Sequence, residues 1–186
     1  MKTRHLAGAA ALLLLLTLVP TWPLAAELGS AVADHHDPYF SVWRLAWIAH
    51  AIRTQPLHLF DANIYYPEAR TLAYSDATLL QGLIGAPFIW AGVPAVAVYN
   101  ALLLLGIFTS GVAMYLLAQE IPGSIQAGLF GAAIFVLAPY RIEHLHHLEL
   151  QWSGWIPLML WMLHRTVSTP TWRRGLWCGL LLWLQF

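Results

Sequence analysis

The chain has 186 residues, of which 59% are hydrophobic and 10% charged, and its fixed charges cancel. A soluble domain ordinarily carries about 25% charged residues, so a disordered chain, an ordinary soluble globule and a nucleic-acid binder with a basic patch are all set aside. One cysteine, Cys178, excludes an internal disulfide framework and a thiolate-rich zinc site, and an integral membrane protein is what remains.

The first segment opens with Lys2, Arg4 and His5 and runs apolar over residues 6–26, enough for one span of a hydrocarbon core, which needs roughly 20 residues. The rival reading is a cleavable signal peptide ending near Ala25-Ala26. Residues 27–78 are polar enough to lie outside a bilayer. They include Asp34-His35-His36-Asp37, after which Phe40, Trp43, Trp47 and Ile48 recur near helical spacing. That pattern predicts a helix over 38–52 with Asp37 as N-cap and Pro38 in its first turn. Its aromatic face suits either a membrane interface or another protein surface.

Residues 79–90 are apolar but short, with Gly82, Gly85 and Pro87, as in a re-entrant or juxtamembrane helix. Further spans are expected at 94–118, 125–139 and 152–163, and a segment at 175–186 that stops while still apolar. The expected fold is therefore all-α, a polytopic transmembrane helical bundle. The chain reads as the N-terminal part of one transmembrane domain, with interfacial helices in a large outer loop, 27–93. Because cytoplasmic loops collect Lys and Arg, Lys2 and Arg4 place the N-terminus inside. Arg165, Arg173 and Arg174 place the 164–174 turn inside as well. Both hold only if 79–90 does not cross fully, and then loops 27–93 and 140–151 share the outer face.

Two groups of residues carry candidate chemistry. In the first, Asp34 and Asp37 suit a general base toward an acceptor hydroxyl, or ligation of a divalent ion; the plainer alternative is a solvated loop with a helix cap. In the second, Arg141, Glu143, His144, His146, His147 and Glu149 crowd one boundary. A helix would put Glu143, His144 and His147 on one face, as a zinc or manganese site requires, whereas an extended chain would pair His144 with His146. A His-rich interfacial turn is the plainer reading. Between the groups, Asn63 and its neighbouring tyrosines suit a sugar site, although Asp61, Asn63 and Pro67 also suit ordinary turns.

The strings Asp37-Pro38, Trp43-Arg44-Leu45-Ala46-Trp47, Leu59-Phe60-Asp61-Ala62-Asn63-Ile64-Tyr65-Tyr66-Pro67, Tyr74-Ser75-Asp76 and Ala138-Pro139-Tyr140-Arg141, followed by Glu143, His144, His147 and Glu149, resemble the GT-C superfamily of polytopic membrane glycosyltransferases. The likeness is to uncharacterised bacterial members of that group and covers residues 30–165. It implies transfer of a sugar from a polyprenyl-phosphate-linked donor to an acceptor at the outer face of a bacterial inner membrane. It makes Asp37 the first-loop acid with Asp34 behind it. Glu143, His144, His147 and Glu149 become a second element, with a divalent metal ion (Mg, Mn or Zn) as the implied cofactor. Arg141 suits the donor phosphate and Asn63 the substrate. The implied partners are the lipid bilayer, the lipid-linked donor and an acceptor the sequence does not specify, with no nucleic acid. A transporter or flippase-like protein with a His/Glu metal or proton site is the competing class, and a non-catalytic membrane scaffold a third.

Overall fold

The computed structural model describes residues 2–34 and 36–185, and the side chains from residue 7 onward. His35 of the first candidate group, Phe186 of the last expected span, and the Lys2, Arg4 and His5 side chains lie outside that description. The described residues form helices and turns without a strand. In chain order the helices are α1 (Lys2–Leu18), α2 (Asp37–Thr54), α3 (Leu79–Trp90), α4 (Ala95–Glu120), α5 (Ile125–Val136), α6 (Pro139–Glu143), α7 (Leu148–Gln151), α8 (Trp155–Ser168) and α9 (Trp172–Trp183). The chain divides into two compact units, one made of residues 1–22, 103–145 and 150–186, the other of residues 23–102 and 146–149.

In the second unit, α2 and α3 pack together. The face of α2 that carries Leu45, Ile48, Ala49 and Ala51 is buried. Contact is close because α3 presents a glycine, Gly82, where a Cβ would sit 2.5 Å from Ile48 Cδ1. The two indoles at this contact donate within the protein, Trp47 Nε1 to the Leu59 carbonyl (2.8 Å) and Trp90 Nε1 to the Ala49 carbonyl (2.9 Å). Of the aromatic face of α2, Trp47 and Ile48 are packed on protein while Phe40 stays exposed. Trp47, Ile48 and Ala51 continue the core onto Ala62 and Leu72 of the loop. That loop is held by Thr71 Oγ1 donating to the Ala62 carbonyl (3.0 Å) and by the Leu72 amide donating to the Phe60 carbonyl (3.0 Å). With 12 residues, α3 is about 18 Å long, short of a hydrocarbon core of about 30 Å.

In the other unit, α1 packs on α5 and α8 on α9. Ala9, Leu13, Tyr115 and Ala132 form its core. The first helix stops at Leu18, and residues 19–26, expected as its continuation, are mostly turns. Pro20 supplies no amide and disfavours helix at the residue before it. The same chemistry breaks the chain between α5 and α6, where Ala138 is extended (ψ 130°) ahead of Pro139. The helix expected over 152–163 begins at Trp155 and runs on to Ser168. Near its end Arg165 Nε donates to Glu120 Oε1 (2.7 Å), while Trp161 Nε1 donates to the other oxygen (2.9 Å). The final helix starts at Trp172 and so takes in Arg173 and Arg174, with Thr171 accepting from the Arg174 amide as its cap.

Two helical stretches, Ala95–Glu120 and Ile125–Glu143, are long and apolar enough to cross a membrane. Both α8 and α9 leave apolar stripes exposed. Ile156, Leu160, Leu163 and Val167 line one, and Trp172, Leu176, Leu180 and Trp183 the other.

Candidate functional site: an acid and histidine cluster

The chain enters the cluster from residues 27–34, and α4 fixes that entry. Asn100 is fully buried, and its amide donates to the carbonyls of Leu28 (2.8 Å) and Ala31 (2.7 Å). Asp34 follows three residues later. Its neighbour Tyr99, also fully buried, donates its hydroxyl to the His146 carbonyl (2.8 Å). Two adjacent residues of one helix thus anchor the two segments that supply the acids and the histidines.

Asp37 opens α2 as its first helical residue, with His36 in the cap position and no side chain capping the helix. The expected N-cap role of Asp37 is therefore not what its carboxylate does. Its Oδ2 faces two imidazoles, His146 Nε2 at 3.7 Å and His147 Nε2 at 3.6 Å. The other nitrogen of each ring faces a second carboxylate, His146 Nδ1 toward Asp34 Oδ2 at 3.7 Å and His147 Nδ1 toward Glu149 Oε1 at 3.5 Å. The two rings lie 4.2 Å apart, centroid to centroid. Asp34 and Asp37 are about half exposed, and the two histidines about a quarter, so the cluster is reachable from solvent but backed by protein.

That backing is Arg44. It is 4% exposed on α2, and its Nη2 lies 3.4 Å from Glu149 Oε2 and donates to Ser41 Oγ (2.7 Å). Its Nη1 donates to the Asp76 carbonyl, and the guanidinium lies over the Phe40 ring. A buried cation needs a carboxylate partner and hydrogen bonds. Arg44 has both, and it fixes the side of Glu149 opposite His147.

The structure thus gathers Asp34, Asp37, His146, His147 and Glu149 in one unit, from segments more than 100 residues apart in sequence. Glu143 and His144 fall in the other compact unit. The helix that would have aligned Glu143 with His147 ends at Glu143, and residues 144–146 turn. The extended alternative fails for the same reason. His144 instead stacks on Tyr140 (4.2 Å), its Nδ1 against the Tyr140 carbonyl (2.9 Å), and Glu143 is exposed. Both belong to the other unit, as does Arg141. Arg141 is 6% exposed and donates to Ser153 Oγ and to the Gln151 carbonyl (3.0 Å), with its guanidinium over Phe135. Its two terminal nitrogens serve neutral oxygens of its own unit, and its Nε is buried without a hydrogen-bond partner among the described residues.

Asn63 is exposed and accepts from Trp43 Nε1 (3.1 Å). Beside it Asp61 accepts from the Arg70 amide (2.9 Å) and contacts His58 Nδ1 (2.9 Å). These two bonds, the histidine's first, hold the Asp61 carboxyl below the usual carboxylate range. The 59–67 string is in this respect loop architecture.

No protein-family model, curated protein or solved structure matches this chain. The site rests on its own geometry. Asp37, His146 and His147 each offer one ligand atom, and the three atoms lie within 4.8 Å of one another. Two neutral imidazoles and a carboxylate are a donor set for a borderline transition metal. The same carboxylates also suit proton acceptance from a hydroxyl. Sequence reasoning missed Arg44, Tyr99 and Asn100. An Asn inside an otherwise apolar helix, and an Arg between Trp43 and Leu45, were the signals that could have found them.

Proposed function

We propose that this chain serves as an integral-membrane glycosyltransferase of the GT-C kind, moving a sugar from a polyprenyl-phosphate-linked donor to an acceptor hydroxyl at the outer face of a bacterial inner membrane. One observation carries the reading: Asp37 faces both His146 and His147, so the first-loop acids and the second ionisable segment make a single cluster. The apolar stripes of α8 and α9 support a polytopic bundle, since rows of this kind are covered by lipid or by further helices.

The residues divide the work by their surroundings. With Asp37 facing both imidazoles as a candidate metal ligand, the role of base falls to Asp34, the reverse of the order the resemblance implies. Asp34 takes the proton of the acceptor hydroxyl. The acceptor oxygen forms a bond to the anomeric carbon, and the bond from that carbon to the lipid phosphate breaks, its electron pair leaving with the phosphate. A divalent ion held by Asp37, His146 and His147 would supply positive charge toward that phosphate. Arg44 keeps Glu149 and, through it, His147 in place.

The test is transfer of radiolabel from a polyprenyl-phosphate hexose into non-lipid product, using membranes that contain the full chain. Wild-type membranes should transfer, and Asp34→Asn should lower the rate by about 100-fold or more, the range of general-base catalysis. Wild-type rates in Asp34→Asn would remove Asp34 as the base. No transfer by wild type from any polyprenyl-phosphate hexose would overturn the proposal and favour the transporter class.

A further inference from the structure

We propose that Asp37, His146 and His147 bind one zinc ion per chain, with Asp34 and Glu149 as the carboxylates that orient the two histidines. The inference stands on geometry and does not depend on the glycosyltransferase reading.

Spacing is the first argument. Ligand atoms at 2.0–2.1 Å from a tetrahedral zinc are separated by about 3.3 Å. The two imidazole nitrogens lie 3.7 Å and 3.6 Å from Asp37 Oδ2, so these two edges need to contract by only a few tenths of an ångström. Both distances exceed a hydrogen bond. All three ligand atoms lie within 4.8 Å of one another, close enough for one ion to draw them together.

Orientation is the second argument, and it is independent of the first. Metal-bound imidazoles characteristically turn their remaining nitrogen to a carboxylate, which fixes the tautomer and raises the basicity of the ligating nitrogen. Here that arrangement occurs twice. With both Nε2 atoms on Asp37, His146 Nδ1 faces Asp34 (3.7 Å) and His147 Nδ1 faces Glu149 (3.5 Å). Glu149 is held from behind by Arg44 (3.4 Å), and the His146 carbonyl accepts from Tyr99 (2.8 Å).

Charge is the third. Three carboxylates face two imidazoles and one guanidinium, an acid-rich set of donors that attracts a cation. Imidazole nitrogen selects against magnesium and calcium, which prefer oxygen. Three protein ligands leave room on a four-coordinate ion for water or a phosphate oxygen, as in catalytic rather than structural zinc sites.

The experiment is calorimetric titration of zinc into untagged, chelator-treated full chain in lipid nanodiscs, with metal content measured after dialysis. One zinc per chain is expected, bound at least 100-fold more tightly than magnesium. His146→Ala and His147→Ala should each weaken binding by about 100-fold. Asp34→Asn and Glu149→Gln should weaken it by about 10- to 100-fold, the usual effect of removing an orienting carboxylate. His58→Ala, at the exposed loop pair, should leave zinc affinity unchanged. Should the histidine variants not fold, cobalt titrated into wild type gives a second readout. Its visible absorption should show the intense bands of a four-coordinate N/O site, displaced by one equivalent of zinc. Absence of zinc binding by wild type, a magnesium preference, or full affinity in both folded histidine variants would overturn the site. Zinc binding without sugar transfer would leave this inference standing and sink the transferase reading; transfer by a wild-type chain that fails to bind added zinc would do the reverse.

Discussion

Two arginines, Arg44 and Arg141, are buried almost equally, at 4% and 6% exposure, and are put to different uses. Arg141 sits among neutral acceptors, Ser153 Oγ and the Gln151 carbonyl, and the latter also accepts from Ser110 Oγ (2.9 Å). Arg44 faces a carboxylate that in turn faces an imidazole. The first arrangement ties a hydroxyl and a backbone carbonyl of one unit and involves no carboxylate. The second places a fixed positive charge behind a row of titratable groups open to solvent. Burial alone therefore does not mark a functional arginine; the partner of its partner does.

Removing each charge should separate the two regions most strongly. Arg44→Ala leaves Glu149 without its cation, and breaking a buried pair from one side costs about 3 kcal/mol or more, read as a lower midpoint of chemical unfolding. Zinc affinity should fall with it. Arg141→Met keeps the volume and removes donors from neutral oxygens, one of which retains Ser110. It should cost about 1 kcal/mol and leave zinc affinity as it was. Equal losses from both variants would erase the distinction.

Next in size is Gly82→Ala, whose added methyl meets Ile48 side-chain atoms. Overpacking of this kind costs about 1–3 kcal/mol. Gly8→Ala, in α1 with nothing within 4 Å, should be neutral or slightly stabilising. Since Gly82 fixes the α2–α3 contact, its variant should also loosen the cluster at the start of α2, seen as weaker zinc binding.

Tyr99→Phe removes one hydrogen bond to the His146 carbonyl and should cost about 1 kcal/mol. As a positioning change it should weaken zinc binding while leaving the magnesium response flat, a pattern that general destabilisation would not produce. The smallest effect belongs to Asp61. Its carboxyl titrates below the usual range in the folded chain, so its contribution to stability is full above the unfolded carboxylate value and is lost as pH falls through the folded one. Wild type should therefore lose slightly more stability than Asp61→Asn as pH falls from the unfolded carboxylate value, about 4, through the lower folded one. Identical acid limbs in the two unfolding curves would contradict this.

Much of the helical order was legible in the sequence because proline and glycine punctuate it. The 79–90 helix emerged with the same limits, since its apolar run is flanked by polar or turn residues. The first helix was read too long because hydropathy continues through Pro20 while backbone geometry does not. In the candidate site, both segments stood out as ionisable residues beside apolar ones. The pairing across them did not. Helical spacing nominated Glu143, His144 and His147, but the chain turns at 144–146, and the pair that faces Asp37 is His146 with His147. A period drawn from sequence assumes the helix persists, and no residue between 143 and 147 announces that it stops. The partners of Tyr99 and Asn100 were hidden for another reason: they are backbone carbonyls, which carry no sequence signal even where the Asn itself stands out in an apolar helix.

The central claim is that Asp34 and Asp37 form one site with His146, His147 and Glu149. It is tested most directly by cross-linking cysteines at 37 and 147 (Asp37→Cys with His147→Cys) in a Cys178→Ser background, with the full chain in membranes. A short thiol-to-thiol reagent should join the pair as efficiently as it joins a control pair at the packed α2–α3 contact, Ile48→Cys with Gly82→Cys. Both cysteines should also label from the same side of the membrane. Labelling from opposite sides, or a control that cross-links while 37 and 147 do not, would contradict the account.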